Sequence, residues 1–142
     1  MTAKISSATG SDIEELRQLF LSVRQATFAW LDTSAYRLTD FDEQTKDEWM
    51  LVARCDNSIA GFISVWEAEA FLHHLYVHKD HQGMGVGTAL LNAVKERFAA
   101  GITLKCLVKN TAALAFYKRN GFKETTIGTA NNGEFIVLGY SG

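Results

Sequence analysis

Apolar residues recur at helical spacing over Ile13, Leu16, Leu19, Phe20 and Val23, which predicts a helix. Ser11 and Glu14 stand where a capping box would open it. From Phe28 to Phe41 the periodicity breaks, and the segment reads as a loop or broken helix carrying Trp30, Tyr36 and Phe41. The charged run from Asp42 to Trp49 predicts a second short helix. Three short strands follow, at Met50 to Arg54, Ile59 to Trp66 and Ala70 to His78. Asp56-Asn57-Ser58 and Glu67-Ala68-Glu69 supply the turns of an antiparallel meander. Alternation along the third strand places His73, Leu75 and Val77 on one face and His74, Tyr76 and His78 on the other.

After His78 the period changes. Gln82-Gly83-Met84-Gly85-Val86-Gly87 is a glycine cluster, and Val86, Leu90, Val94 and Phe98 recur every four residues behind it, with Leu91 beside them. That is an amphipathic helix, with Gly101 placed as its C-terminal cap. Ile102 to Val108 reads as a strand, and Asn110 or Thr111 caps a further helix that Gly121 ends. Lys123 to Gly128 and Glu134 to Tyr140 form a closing hairpin around Asn131-Asn132-Gly133. The order α-α-β-β-β-α-β-α-β-β predicts an α+β fold, a mixed sheet flanked by helices. No repeat or linker divides the chain, so residues 1–142 read as one domain.

Composition narrows the function classes. There is no proline, so proline-rich linkers and docking segments are absent and every turn uses other residues. The net charge of −2 argues against nucleic-acid binding. No apolar run is long enough to span a bilayer, and the N-terminus lacks the apolar core of a signal peptide, so no membrane role is expected. Cys55 and Cys106 lie far apart and outside any CxxC spacing, as packed thiols of a reduced, cytoplasmic protein would.

The glycine cluster is the chemical signal. A strand running into a glycine-rich turn and then a helix presents free backbone N–H groups and the positive end of the helix dipole to an anion, typically a phosphate or pyrophosphate. Gly87 is followed by Thr88 without the lysine of a phosphate-binding P-loop, and the dinucleotide pattern would need glycine at Thr88 or Leu90.

Gln82 to Gly87 does match Q/R-x-x-G-x-G/A, and Asn110 to Phe122 matches N-x-x-A-x-x-F/L-Y-x-x-x-G-F. With these two motifs in this order, the chain resembles the GNAT (GCN5-related N-acetyltransferase) family over most of its length. It departs at Lys79, where many members have proline, and its first third carries nothing diagnostic.

The resemblance implies the mostly antiparallel GNAT fold and acetyl transfer from acetyl-CoA to a primary amine, on a small molecule or a peptide. It implies that Gln82, Gly83, Met84, Gly85, Val86, Gly87 and Thr88 hold the pyrophosphate. The strand Leu75-Tyr76-Val77 would pair with the pantetheine arm, with Leu75 and Val77 supplying backbone donors for the oxyanion. Tyr117 would protonate the leaving thiolate, although it also sits at core spacing from Leu114. Asn110 and Ala113 would meet the pantetheine, and Lys118 or Arg119 the 3′-phosphate, against the plainer readings of a helix cap and solvated charges.

Amine attack needs a proton acceptor. His73, two residues before Leu75, is the first candidate the resemblance implies, with Glu67 and Glu69 as second choices. His78, His81 and Asp80 match no standard metal spacing, so no metal is expected. An acyl-CoA-binding module without turnover is the alternative from another class. Family members are often dimers, so a homodimer is open to this chain.

Overall fold

The computed structural model describes residues 3–141. A strand the apolar pattern does not reveal comes first: β1, Lys4–Ser7, is four residues long, mostly exposed, and too short to display a period. The first apolar stripe forms α1, Ile13–Thr27, and buries Leu16, Leu19, Phe20 and Val23. Its entry differs from the expected box. The Asp12 carboxylate accepts the Thr9 N–H at 2.8 Å, in a single 3-10 turn over Gly10–Asp12. Asp12 takes this role because Arg54 holds it from the sheet at 2.6 Å, whereas Glu14 is drawn to Arg17 at 3.2 Å.

The second helix starts earlier and is shorter than expected: α2 is Asp40–Gln44, and Trp49 already belongs to β2, Trp49–Cys55. Arg24 ties α2 to α1. Its buried guanidinium lies 4.0 Å over the Phe20 ring and 4.3 Å over Tyr36, and it donates to Asp40 at 3.2 Å.

The meander is as expected: β2 pairs antiparallel with β3, Ser58–Trp66, and β3 with β4, Phe71–Val77. The glycine-led helix is α3, Val86–Arg97, followed by β5, Ile102–Leu107, and α4, Thr111–Arg119. β6, Lys123–Ala130, and β7, Gly133–Tyr140, form the closing hairpin. The seven strands make one sheet in the order β1-β2-β3-β4-β5-β7-β6. Every pairing is antiparallel except β4 with β5.

Each sheet face has its own core. Leu90, Leu91 and Val94 of α3 pack with Ile63, Leu72, Leu104 and Leu138 on one face. Leu16 and Phe20 of α1 pack with Phe41, Val52 and Phe62 on the other. Each fully buried side chain of this kind contributes about 1.5–3 kcal/mol over exposure. No helix among the described residues is long and apolar enough to cross a membrane.

The parallel pairing that joins the two halves is confined to Phe71 opposite Thr103 and Leu72 opposite Leu104. Beyond Leu72 no ladder joins β4 to β5, so the sheet has an opening along one edge of β4.

Candidate active site

The free edge of β4 has a defined polarity. The His78 N–H donates to Ala60 of β3 at 2.7 Å, and backbone groups alternate sides along a strand. Tyr76 therefore addresses β3, while Leu75 and Val77 address the gap. The Val77 carbonyl on that side accepts the Gln82 side-chain amide at 3.0 Å. The Leu75 and Val77 N–H groups face a space that no strand fills.

That space opens into a cavity of about 480 Å³ on the α3/α4 face. Leu75 and Val77 form one wall, Gln82, Gly83, Gly85, Val86, Gly87 and Thr88 of the glycine segment another, and Ala113, Phe116, Tyr117 and Arg119 of α4 the third. Gly83 and Gly85 have φ of 79° and 82°, a left-handed conformation in which glycine carries no steric penalty. Gly85 is the N-cap of α3, and the first helical bond is Ala89 N–H to Gly85 at 3.0 Å. The N–H groups of Val86, Gly87 and Thr88 therefore stand free at the cavity rim. The junction before the loop is a single 3-10 turn, Lys79–His81. There the His78 ring accepts the Asp80 N–H at 3.1 Å, closing the turn without a proline at Lys79.

Tyr117 is buried, 8% exposed, and lines the same cavity. Burial, with smaller contributions from the Cys106 thiol and Tyr76, pushes its phenol well above the ordinary 10, so it stays protonated. Asn110 caps α4 through its side-chain oxygen, which accepts from Ala113 N–H at 3.3 Å, and it does not line the cavity.

Several expected residues sit elsewhere. The Tyr76 ring packs at 5.6 Å on Phe20, on the α1 face. Met84 is 56% exposed outside the cavity wall. Lys118 is paired with Glu124, which leaves Arg119 as the cation at the rim. Glu67 is drawn to Arg97 of α3 at 2.6 Å and lines neither this cavity nor the one described next. His81, Ala112 and Phe116 also line the site, though the sequence assigned none of them to it. The family motif itself contains Phe116 and could have pointed to it.

His73 does not share a face with Leu75 and Val77. Ser64 pairs with His74 and Val65 with Leu72, so His73 is an extra residue, a β-bulge, in β4. The bulge resets the alternation, and the His73 and His74 rings stack at 3.8 Å on the α1/α2 face. The signal lay in Leu72-His73-His74-Leu75, where apolar residues three apart break the period of two.

His73 lines a second cavity of about 420 Å³ with Glu48, Trp66, Glu69, Phe71, Thr103 and Lys105. Thr103 and Lys105 alternate with core residues of β5, so this cavity lies on the sheet face opposite the first. The His73 Nδ1 is 2.6 Å from Glu48 Oε2. Among the described residues, the group whose ligand atoms are close enough for a metal ion is Glu48, His73 and His74, not His78, His81 and Asp80. The two rings in that group lie within 29° of parallel.

Residues 46–124, more than half of the chain, match the family model of the acetyltransferase (GNAT) domain. An uncharacterized N-acetyltransferase of Methanocaldococcus jannaschii is 39% identical over 62 residues. That match covers 41% of the chain and only 27% of that protein's length. Among solved structures, apo-form YjaB from Escherichia coli superposes with a TM-score of 0.79 at 24% identity, covering 100% of this chain and 99% of that one. The PaiA N-acetyltransferase from Thermoplasma acidophilum, solved in complex with coenzyme A, superposes with a TM-score of 0.76 at 20% identity, covering both chains fully, 100% each. A ribosomal-protein-alanine N-acetyltransferase from Brucella melitensis does so at 0.72 and 18%, covering 97% of this chain and 99% of that one.

Proposed function

The chain belongs to the GNAT acetyltransferase family, and on that premise we propose that it transfers the acetyl group of acetyl-CoA to a primary amine by direct attack. The observation that carries the reading is the unpaired edge of β4 at Leu75 and Val77, open to a cavity rimmed by the glycine loop and Tyr117. These residues suit coenzyme A. The free N–H groups of Val86, Gly87 and Thr88 would hold the pyrophosphate at the helix N-terminus. Arg119 would meet the outlying phosphate. The β4 edge would pair with the amides of the pantetheine arm, as an added strand does.

Acetyl-CoA supplies an activated acyl group whose carbonyl becomes an oxyanion on attack. The Leu75 and Val77 N–H groups are the preorganised donors for that charge. Tyr117, neutral and beside the gap, would give a proton to the leaving thiolate. The amine would come from the opposite face, where Trp66, Phe71, Glu69 and Lys105 line the second cavity, and His73 would take its proton. An apolar wall with both charges suits a small amine or a peptide terminus. Buried, unpaired Cys55 and Cys106 fit a reducing compartment such as the cytoplasm.

Calorimetric titration with acetyl-CoA, CoA and ATP, followed by thiol release with a panel of amines, tests the proposal. Binding of CoA species with thiol release to at least one amine is expected. Binding of ATP alone would refute it, and binding of acetyl-CoA with no release would favour the acyl-CoA-binding alternative.

A further inference from the structure

We infer that Glu48 is a concealed partner in proton removal, a positioning residue that fixes His73 as the base for the incoming amine. The inference rests on the proposed acetyl transfer, and it starts from an imbalance in burial. The Glu48 side chain is 2% exposed while His73, its partner at 2.6 Å, is 39% exposed. One carboxylate oxygen, Oε2, is engaged by the imidazole; the other, Oε1, is buried with no partner among the described residues. A buried polar atom without a protein partner is destabilising, so stability alone does not account for the pair. A carboxylate held at a cost, against a half-exposed histidine in a cavity, is the arrangement of a functional pair.

The pairing also bears on the tautomer. Facing an ionised carboxylate, which only accepts, Nδ1 of His73 would carry the hydrogen and Nε2 would keep the lone pair. The β-bulge places this ring beside the first residues of β4 that lack a β5 partner. The His74 Nε2 makes no hydrogen bond to the carboxylate. Burial, with the neighbouring His73 second, lowers His74 to about 3, and its neutral ring stacks on His73.

The protons balance. As an ammonium acceptor becomes an amide, it loses two protons, the new N–C bond forms and the C–S bond breaks. One proton passes to His73 and on to solvent. The other replaces the one that Tyr117 gives to the thiolate. Glu48 stabilises the imidazolium formed in the first transfer and is not itself protonated.

Glu48→Gln tests this, with thiol release, acetyl-CoA titration and thermal melting measured on the full chain. The expected result is a fall in kcat of about tenfold or more, an unchanged Kd for acetyl-CoA, and a melting temperature equal to or above that of the original protein. Added to His73→Ala, it should lower the rate no further, since groups acting as one unit are not additive. An unchanged kcat, losses that add to those of His73→Ala, or a melting temperature that falls with the activity would each overturn the inference. Stoichiometric zinc uptake abolished by Glu48→Gln would also overturn it, in favour of a metal site. If the original protein binds acetyl-CoA but acetylates no amine, the proposed function fails instead.

Discussion

Gly85 is the position where the backbone, the helix terminus and the proposed cofactor meet. Its φ is 82° and ψ is 7° at the N-cap of α3, and an added Cβ would meet no atom within 4 Å. Steric clash is therefore not the penalty for Gly85→Ala. The left-handed conformation costs an L-residue about 1–2 kcal/mol, and reduced freedom of the unfolded chain offsets about 0.4–1 kcal/mol of that. The net loss is about 1 kcal/mol, or roughly 3 °C in melting temperature. The methyl would project into open space at the mouth of the loop, where the proposed pyrophosphate would lie. Losing one hydrogen bond to a charged phosphate costs about 1.5–3 kcal/mol, so acetyl-CoA affinity should fall about 10- to 150-fold. Gly85→Asn separates the two effects, because asparagine tolerates the left-handed region while adding more bulk. It should melt closer to the original protein than Gly85→Ala does, and bind acetyl-CoA at least as weakly. Gly10, with open space around it and no positive φ, is the control: Gly10→Ala should leave affinity unchanged. Calorimetric titration with acetyl-CoA, beside melting curves without ligand, reads both quantities. Retained affinity in Gly85→Asn would refute the placement of the pyrophosphate at this helix end.

Tyr117→Phe removes a hydroxyl from a buried site and should lower kcat by about 10²- to 10⁴-fold. Acetyl-CoA affinity should hold, and an undiminished single-turnover rate would remove Tyr117 from the mechanism. Leu90→Ala, at a side chain with 0% exposure between α3 and the sheet, should cost about 2–5 kcal/mol by denaturant unfolding; a loss under 1 kcal/mol would contradict that packing. His74 is neutral when folded, with its value lowered from 6.5 to about 3. The stability from keeping it neutral is complete above the unfolded value and is lost as pH falls toward the folded one. At pH 5 the loss is about 2 kcal/mol relative to pH 7.5. His74→Leu should flatten the stability curve over that range, and equal slopes in both proteins would refute the assignment. Asp12 is held below its ordinary 3.8 chiefly by its hydrogen bond from Arg54. Its contribution is present above that ordinary value and fades as pH falls through the lower folded one. Asp12→Asn should accordingly lose stability at neutral pH and show a shallower decline below pH 4, measured by urea unfolding.

What the chain order alone determined was local. The stripe of Leu16, Leu19, Phe20 and Val23, the four-residue spacing from Val86 to Val94, and the Asn-Asn-Gly turn each follow from periodicity or from residues that only certain backbone shapes accept. The glycine loop and the Asn110 cap were legible for the same reason, because glycine and cap chemistry act within a few residues. The family followed from two motifs whose spacing survives in one dimension.

Tertiary structure decided what depends on partners distant in sequence. The cap moved to Thr9 and Asp12 because Arg54 reaches across from β2, and Lys118 left the site because Glu124 pairs with it. The strand β1 exists because β2 offers it an edge. Above all, the face of His73 was decided by a single extra residue opposite the Ser64–Val65 step of β3. A strand's period of two cannot report such a bulge, since register is a property of two strands and not of one. Glu48, 25 residues from His73, was invisible for the same reason: burial and the missing partner of its second oxygen arise only when β2, β4 and the turn after α2 close around it.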